Sequence, residues 1–337
     1  MLPYYHPSSI AIVDDDVLFL ETLKFSFSDA FPCETFPDPR RAVEVLRQRQ
    51  LAVRGIEHFV VPNESTPDVA TYEPGDQLVH VRTSGIAALV EDPSRFSQVS
   101  VIIVDYDMPA LNGVQLCRQL VDMPVRKILL TGKATIDVAM RAFNERIIDS
   151  YIPKQDGDLA TRLKTEIKAL EAAYFTRIGQ PLGSLLGLDA TRFIADPGFD
   201  EFFATECRAR HIVEHYVMAE PHGVLMASAS GDVFVMAVQS EQSLAAHTEI
   251  AIAENASNDL VRGLAARAIV PIFPTPSGMY EKSLESTWRD HVWPARTLIG
   301  RETWFHALVT GPATSSLVPP GMVSYAGHRA GTSMTRH

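Results

Sequence analysis

The stretch VIIVDYDMPALNG, Val101 to Gly113, decides the fold. Its first four residues are apolar and β-branched, the pattern of a strand buried on both faces. Asp105 ends the run, and a Pro- and Gly-marked loop then leads into a helical pattern from Val114 to Leu120. The same strand-then-helix unit recurs on either side. Ile10 to Val13 is a short apolar run followed by acids and a helical pattern through Leu18, Leu20, Leu23 and Phe27. CETF, Cys33 to Phe36, precedes a segment whose Pro39 suits a first helical turn. Lys127 to Leu130, a helix over Ile136 to Phe143, and Ile147 to Ile152 complete five strands. Strands alternating with helices predict the α/β class, with a doubly wound five-stranded parallel sheet, because parallel neighbours need crossover connections. Ligands of such sheets sit at the carboxyl ends of the strands.

At 337 residues, 46% of them hydrophobic, the chain is long enough for two domains, each with its own core. The formal net charge of −11 and the lack of a dense Lys/Arg block argue against nucleic acid as a partner. Three scattered cysteines, Cys33, Cys117 and Cys207, form neither a CxxC pair nor a Cys/His cluster, and suit a reducing cytoplasm. MLPYYHPSSI lacks the basic-then-apolar pattern of a secretion signal, and no run reaches the ~20 apolar residues that span a bilayer. The expected localisation is cytoplasmic, with no membrane partner.

Residues 50–98 interrupt the strand-helix rhythm with Pro62, Pro67, Pro74 and Gly75 among short apolar runs. They read as an inserted hairpin and short helix, either a surface elaboration or an interaction surface. Residues 158–187 read as a helical extension and linker. Leu163, Ile167, Leu170 and Tyr174 form one stripe, which packs on its own domain or serves a homodimer, and Gly179, Pro181, Gly183 and Gly187 mark the linker. Residues 188–312 follow the order helix, three antiparallel strands, two helices, further strands, an α+β domain with an antiparallel sheet. PAS-like and GAF-like modules are analogies of fold for it. Residues 313–337 are expected to be a mobile tail.

Asp14 and Asp15 fall at the end of the first strand and Asp105 at the end of the third, so the topology gathers three carboxylates in one crevice. Like charges that close repel, and the usual partner of clustered carboxylate oxygens is a hard divalent cation, here Mg²⁺. An aspartate beside such a cation can attack phosphorus and form an acyl phosphate. Thr131, ending KILLTG, offers a hydroxyl, and Lys154, after YIPK, a compact positive charge. Gly132 leaves room beside Thr131.

IAIVDDD, DYDMPALNG, LLTG and YIPK, in that order at strand ends, closely resemble the response-regulator receiver family over residues about 8–170 outside the insertion. The resemblance implies a flavodoxin-like receiver domain, at 8–157 here, in a bacterial two-component pathway. It implies that a sensor histidine kinase or phosphotransfer protein phosphorylates Asp105. It implies that Mg²⁺ is held by Asp15, Asp105 and the backbone carbonyl of Asp107, with Asp14 acting through water. Lys154 would pair with the acceptor carboxylate and then with the phosphate. Thr131 and Tyr151 would be the switch pair, although Tyr151 also reads as a plain half-buried aromatic. Asp16 reads as a helix N-cap. Where the family usually has proline after the lysine, often with a cis bond, Gln155 stands here. Asp107 and Lys133 flank the phosphoryl site and are expected to tune hydrolysis.

The second domain lacks a recognisable catalytic signature and a helix-turn-helix. His211 and His215 would share a face of a strand or helix, as a metal pair or as half-exposed histidines. Trp288, Trp293 and Trp304 are core anchors or stacking residues. The leading expectation is a phosphorylation-gated module that binds a downstream protein or small ligand, with no catalysis beyond the receiver's own phosphorylation. An enzyme of unrecognised class would need a polar pocket holding several of His211, Glu214, His215 and His222. A DNA-binding regulator would need a basic face.

Overall fold

The computed structural model describes residues 1–50, 60–62, 79–81, 84–132, 136–186 and 191–334. In chain order its strands and helices begin with β1 (Tyr4–Tyr5), β2 (Ser9–Val13), α1 (Val17–Phe27), β3 (Cys33–Phe36) and α2 (Pro39–Gln50). Then come β4 (Val60–Pro62), β5 (Val79–Val81), α3 (Ser84–Glu91), β6 (Val99–Asp105), α4 (Gly113–Gln119) and β7 (Arg126–Thr131). Next are α5 (Ile136–Asn144), β8 (Ser150–Pro153), α6 (Leu159–Leu186), α7 (Pro197–Ala209), β9 (Ile212–Met218), β10 (Gly223–Ser228) and β11 (Val233–Ser240). The chain closes with α8 (Glu241–Ala253), α9 (Asn258–Ala265), β12 (Ile269–Pro271), β13 (Val292–Pro294), β14 (Arg296–Ile299), β15 (Thr303–Thr310) and α10 (Tyr325–Met334).

The chain forms two compact units, Pro7–Gly55 with Pro93–Gly179, and Met1–His6 with Ile56–Asp92 and Gln180–His337. The first holds a five-stranded sheet of order β3-β2-β6-β7-β8, every neighbouring pair parallel. This is the expected doubly wound, flavodoxin-like arrangement. Strand alternation divides its core into two layers. Ala11, Val13, Ile102 and Val104 join the layer that also takes Leu116 and Ala139. Ile10, Ile12, Val101 and Ile103 join the opposite layer with Leu20, Leu23 and Phe27 of α1. Leu163 and Ile167 pack there too, with Leu170 against them. Three members of the α6 stripe thus pack into the core of this unit. Leu18 departs from expectation. It lies about 200° around the helix from Leu20 and is 75% exposed.

The second unit holds an antiparallel sheet of order β1-β9-β10-β11-β15-β14, and a separate β12-β13 pair. It takes more of the chain than residues 188–312. Tyr4 pairs with Tyr216 and Tyr5 with His215, so the N-terminal segment supplies an edge strand. The insertion forms an antiparallel pair, β4-β5, followed by α3, in the hairpin-then-helix order read from the sequence. The expected linker is helical as far as Leu186, with Pro181 inside α6. Leu182 and Leu186 are buried there, and Thr191 Oγ1 donates to the Leu186 carbonyl at 2.7 Å, so packing and a cap outweigh the breakers. The expected mobile tail contains a 3-10 turn at Gly311–Ser316 and α10. Tyr325 N, a donor left open at the start of α10, finds the buried Glu214 carboxylate at 2.7 Å. Among the described residues, no helix is long and apolar enough to cross a membrane.

Candidate functional site

Asp14 directly follows β2, and Asp105 is the last residue of the neighbouring strand β6. One ligand atom from each of Asp14, Asp15 and Asp105 lies within 4.8 Å of the others. Asp14 and Asp105 are buried and Asp15 is exposed, so the cluster has a closed floor and an open edge. Asp14 Oδ1 accepts the backbone N–H of Asp16 at 2.9 Å, which fixes its side chain. Asp16 caps α1, accepting from Leu18 N at 3.0 Å and Phe19 N at 3.1 Å. Burial and the neighbouring Asp14 charge hold the Asp105 carboxyl above its usual range, against the pull of Lys154.

The Lys154 ammonium lies 2.7 Å from Asp14 Oδ2 and 3.3 Å from Asp105 Oδ1. Burial works against its charge, yet the hydrogen bond to Asp14 and the two carboxylate charges hold its pKa above the usual value. Its backbone N–H donates to the Thr131 carbonyl at 2.9 Å. That bond delivers the lysine to the crevice with Gln155, not proline, following it. The cis peptide among the described residues is Glu220–Pro221, so Lys154–Gln155 is trans. Sequence reading passed over Phe19, whose ring centroid lies 4.5 Å from the ammonium. Its place one turn after the Asp16 cap was the available signal.

Thr131 ends β7, and its buried Oγ1 has no hydrogen-bond partner among the described residues. A hydroxyl in that state is costly unless something else comes to it. A methyl group at Gly132 would meet no atom of the described residues beyond its chain neighbours within 4 Å. The aspartate loop is held by Tyr106 N donating to Leu130 O and Gly113 N donating to Tyr106 O, both at 3.0 Å. A Cβ at Gly113 would lie 2.3 Å from the Asp105 carbonyl oxygen, so only glycine permits this close return. Asn112 and Gln115 then form a reciprocal capping box that starts α4. Asp107 is exposed at the loop surface. Tyr151, in β8, is half-buried and stands edge-on to Phe143 at 6.3 Å. Lys133 lies outside the described residues.

The histidines singled out in the second domain do not assemble. His211 is exposed in a turn with φ +52°, while His215 lies in β9 with Nε2 3.2 Å from the Leu2 carbonyl. Burial pushes His215 down to about 4. Glu214 is buried and accepts the Tyr216 hydroxyl at 2.8 Å. Of the four residues named for an enzyme pocket, only His222 lines a cavity of about 440 Å³ in this unit. Among the described residues, only the Asp14, Asp15 and Asp105 group has metal-ligand spacing. Trp288 and Trp304 are buried, while Trp293 lines the cavity.

No protein-family model and no curated protein matches the sequence. Among solved structures, the chain is similar to the Legionella pneumophila response regulator LqsR, at 26% identity and TM-score 0.75. That match covers 98% of this chain and 95% of the other. A receiver-domain protein from Clostridium thermocellum matches 50% of this chain and 95% of its own, at 17% identity and TM-score 0.32. An adenylate cyclase structure from Rhodopirellula baltica matches 54% and 99%, at 20% identity and TM-score 0.35. The chain is thus similar over its whole length to a response regulator, and its five-stranded parallel sheet, with carboxylates, hydroxyl and lysine at the strand ends, has the flavodoxin-like receiver fold.

Proposed function

We propose that this chain is a bacterial two-component response regulator, phosphorylated on Asp105 by a histidine kinase or phosphotransfer protein in the cytoplasm. The observation that carries this reading is the convergence of Asp14, Asp15 and Asp105 with Lys154 beside them and, at the end of the neighbouring strand, a Thr131 hydroxyl with no partner among the described residues. An Asp105 carboxylate oxygen attacks the donor phosphorus, forming a C–O–P linkage while the bond to the donor's leaving group breaks and its electron pair departs with that group. Thr131 Oγ1 would donate to one phosphoryl oxygen, and Lys154 would move from carboxylate pairing toward the phosphate. Water attack on the acyl phosphate later restores the carboxylate and releases inorganic phosphate.

The donor set is hard and anionic, which fits Mg²⁺. Asp15, Asp105 and the Asp107 carbonyl would hold it directly and Asp14 through water. When bound, it supplies charge neutralisation and a template for the phosphoryl oxygens. Thr131 and Tyr151 form the switch pair in this reading, with Asp107 and Lys133 setting the phosphate's lifetime. The module built from residues 188–312 binds a protein or small ligand as output. Incubation with acetyl phosphate and Mg²⁺, followed on a phosphate-affinity gel, tests the acceptor. Wild type should shift and Asp105→Ala should not; a shift that survives the substitution overturns the assignment.

A further inference from the structure

We infer that the second unit contains a binding site for an uncharged aromatic or heteroaromatic molecule with an amide-like donor–acceptor edge, seated between His222 and His247. The inference rests on the ligand-binding reading of the output module and gives that reading a place and a chemistry.

The cavity of about 440 Å³ falls in the size range of small-molecule sites. Phe273, Trp293, Met279 and Ile272 give it an apolar and aromatic wall, and His222, His247, Gln239 and Ser243 give it a polar one. His247 is only 5% exposed, yet among the described residues its Nδ1 has no hydrogen-bond partner, and the buried Nδ1 of His222 has none either. An imidazole nitrogen left unpaired in a wall of this kind costs free energy that an incoming polar edge recovers. Gln239 accepts the Ser243 hydroxyl proton through Oε1, which leaves its NH₂ group to donate.

Charge selects among ligands. Neither Lys nor Arg lines this cavity, and burial, aided by His222, holds His247 at about 4 and therefore neutral near pH 7. An anion would find no lysine or arginine to pair with there. A smaller chamber of about 280 Å³ shares His222, Gln239, Ser243 and Met279 with the cavity and includes Arg192. That guanidinium is already engaged, 2.7 Å from Glu302 and over the Trp304 ring at 5.8 Å. The carboxylates that could pair with a cation there, Glu220 and Asp290, are solvent-exposed and screened. An uncharged ring can stack on the aromatic wall while its amide edge donates to one imidazole and accepts from the other or from Gln239.

The test titrates the full-length protein, isotope-labelled in its histidine rings, with benzamide, benzoate and benzylammonium, which share a shape and differ in charge. Proton–nitrogen correlation spectra follow the imidazoles. Benzamide should move the His222 and His247 signals saturably, with a Kd of about 1 mM or tighter. His247→Leu and Ser243→Ala should each weaken it at least about fivefold. Benzoate and benzylammonium should bind more weakly. The wild-type titration decides the matter even if a variant fails to fold. No saturable change with benzamide, or benzoate binding as well as benzamide, overturns the site. Repeating the titration on phosphorylated protein separates the two readings. Benzamide affinity indifferent to phosphorylation removes the gating and leaves the site standing, whereas loss of binding in both forms removes the site and leaves the Asp105 chemistry standing.

Discussion

The Lys154 ammonium sits closer to Asp14, at 2.7 Å, than to Asp105, at 3.3 Å. Before phosphorylation the lysine is therefore held chiefly by a residue other than the one whose product it would stabilise. Its transfer to the phosphate exchanges one charge-assisted contact for another, each worth about 1.5–3 kcal/mol. Lys154→Gln should slow phosphorylation by acetyl phosphate at least about tenfold, since about 1.4 kcal/mol is tenfold in rate. A gel time course measures this, and a rate within about twofold of wild type would leave Lys154 without the role given to it.

Asp105 carries a pH prediction. Its folded-state pKa is raised, first by burial and then by Asp14. The folded state therefore holds the proton more tightly than the unfolded chain does. The associated stability is fully present below the unfolded carboxylate pKa and is lost as pH rises through the folded one. In Mg²⁺-free buffer, Asp105→Asn should gain on wild type in melting temperature as pH climbs through that window, then level off. A constant difference across the acid range would contradict the electrostatic account.

Magnesium should reverse the same repulsion. A cation bound by the folded cluster alone stabilises by about 1.4 kcal/mol at about ten times its Kd, which raises the melting point of a domain this size by a few degrees. Wild type should show that rise on adding Mg²⁺ and lose it with a chelator. Asp15→Asn and Asp105→Asn should show little of it, because each removes a ligand from the three-carboxylate group. An equal rise in all three proteins would place the cation elsewhere.

Gly113→Ala tests the loop that carries Asp105. The added methyl would meet the Asp105 carbonyl oxygen at 2.3 Å and a Leu129 methyl at 2.7 Å. Backbone cannot yield there without moving the acceptor, and overpacking of this kind costs about 1–3 kcal/mol. Denaturant unfolding should show that loss, together with slower phosphorylation. Unchanged stability would mean that the loop relaxes more freely than this contact implies.

The receiver was legible in the sequence because each strand feeds its own helix and each functional residue sits at a strand end. Asp14, Asp105, Thr131 and Lys154 needed only that local order. The Tyr4–Tyr5 strand was not legible. It is two residues long, and its pairing with Tyr216 and His215 spans most of the chain. The helix running through Pro181 was hidden for a similar reason. Its local signals say linker, and the burial of Leu182 and Leu186 that overrides them is tertiary. The cavity escaped because His222, His247 and Trp293 come from separate elements and share no spacing. His211 and His215, four residues apart, attracted the attention that His247 warranted.

Trp304 and Asp196 give the second unit its own test. Asp196 Oδ2 accepts the Trp304 indole N–H at 2.7 Å and the Arg301 backbone N–H at 2.8 Å, while Oδ1 accepts from Gly198 N at 2.8 Å. Burial alone would raise its pKa, but the hydrogen bonds from Trp304, Gly198, Glu302 and Arg301 outweigh it and hold the carboxyl below the usual range. The sign is thus opposite to that of Asp105: this stability is present above the unfolded pKa and is lost as pH falls through the folded one. Asp196→Asn turns one acceptor oxygen into a donor facing N–H groups, at a cost of about 1–3 kcal/mol. In urea unfolding followed by tryptophan fluorescence, the variant should be less stable at neutral pH and converge on wild type in acid. A gap that persists undiminished well below the usual carboxylate range would show that the charge on Asp196 contributes nothing, and that its hydrogen bonds act by geometry alone.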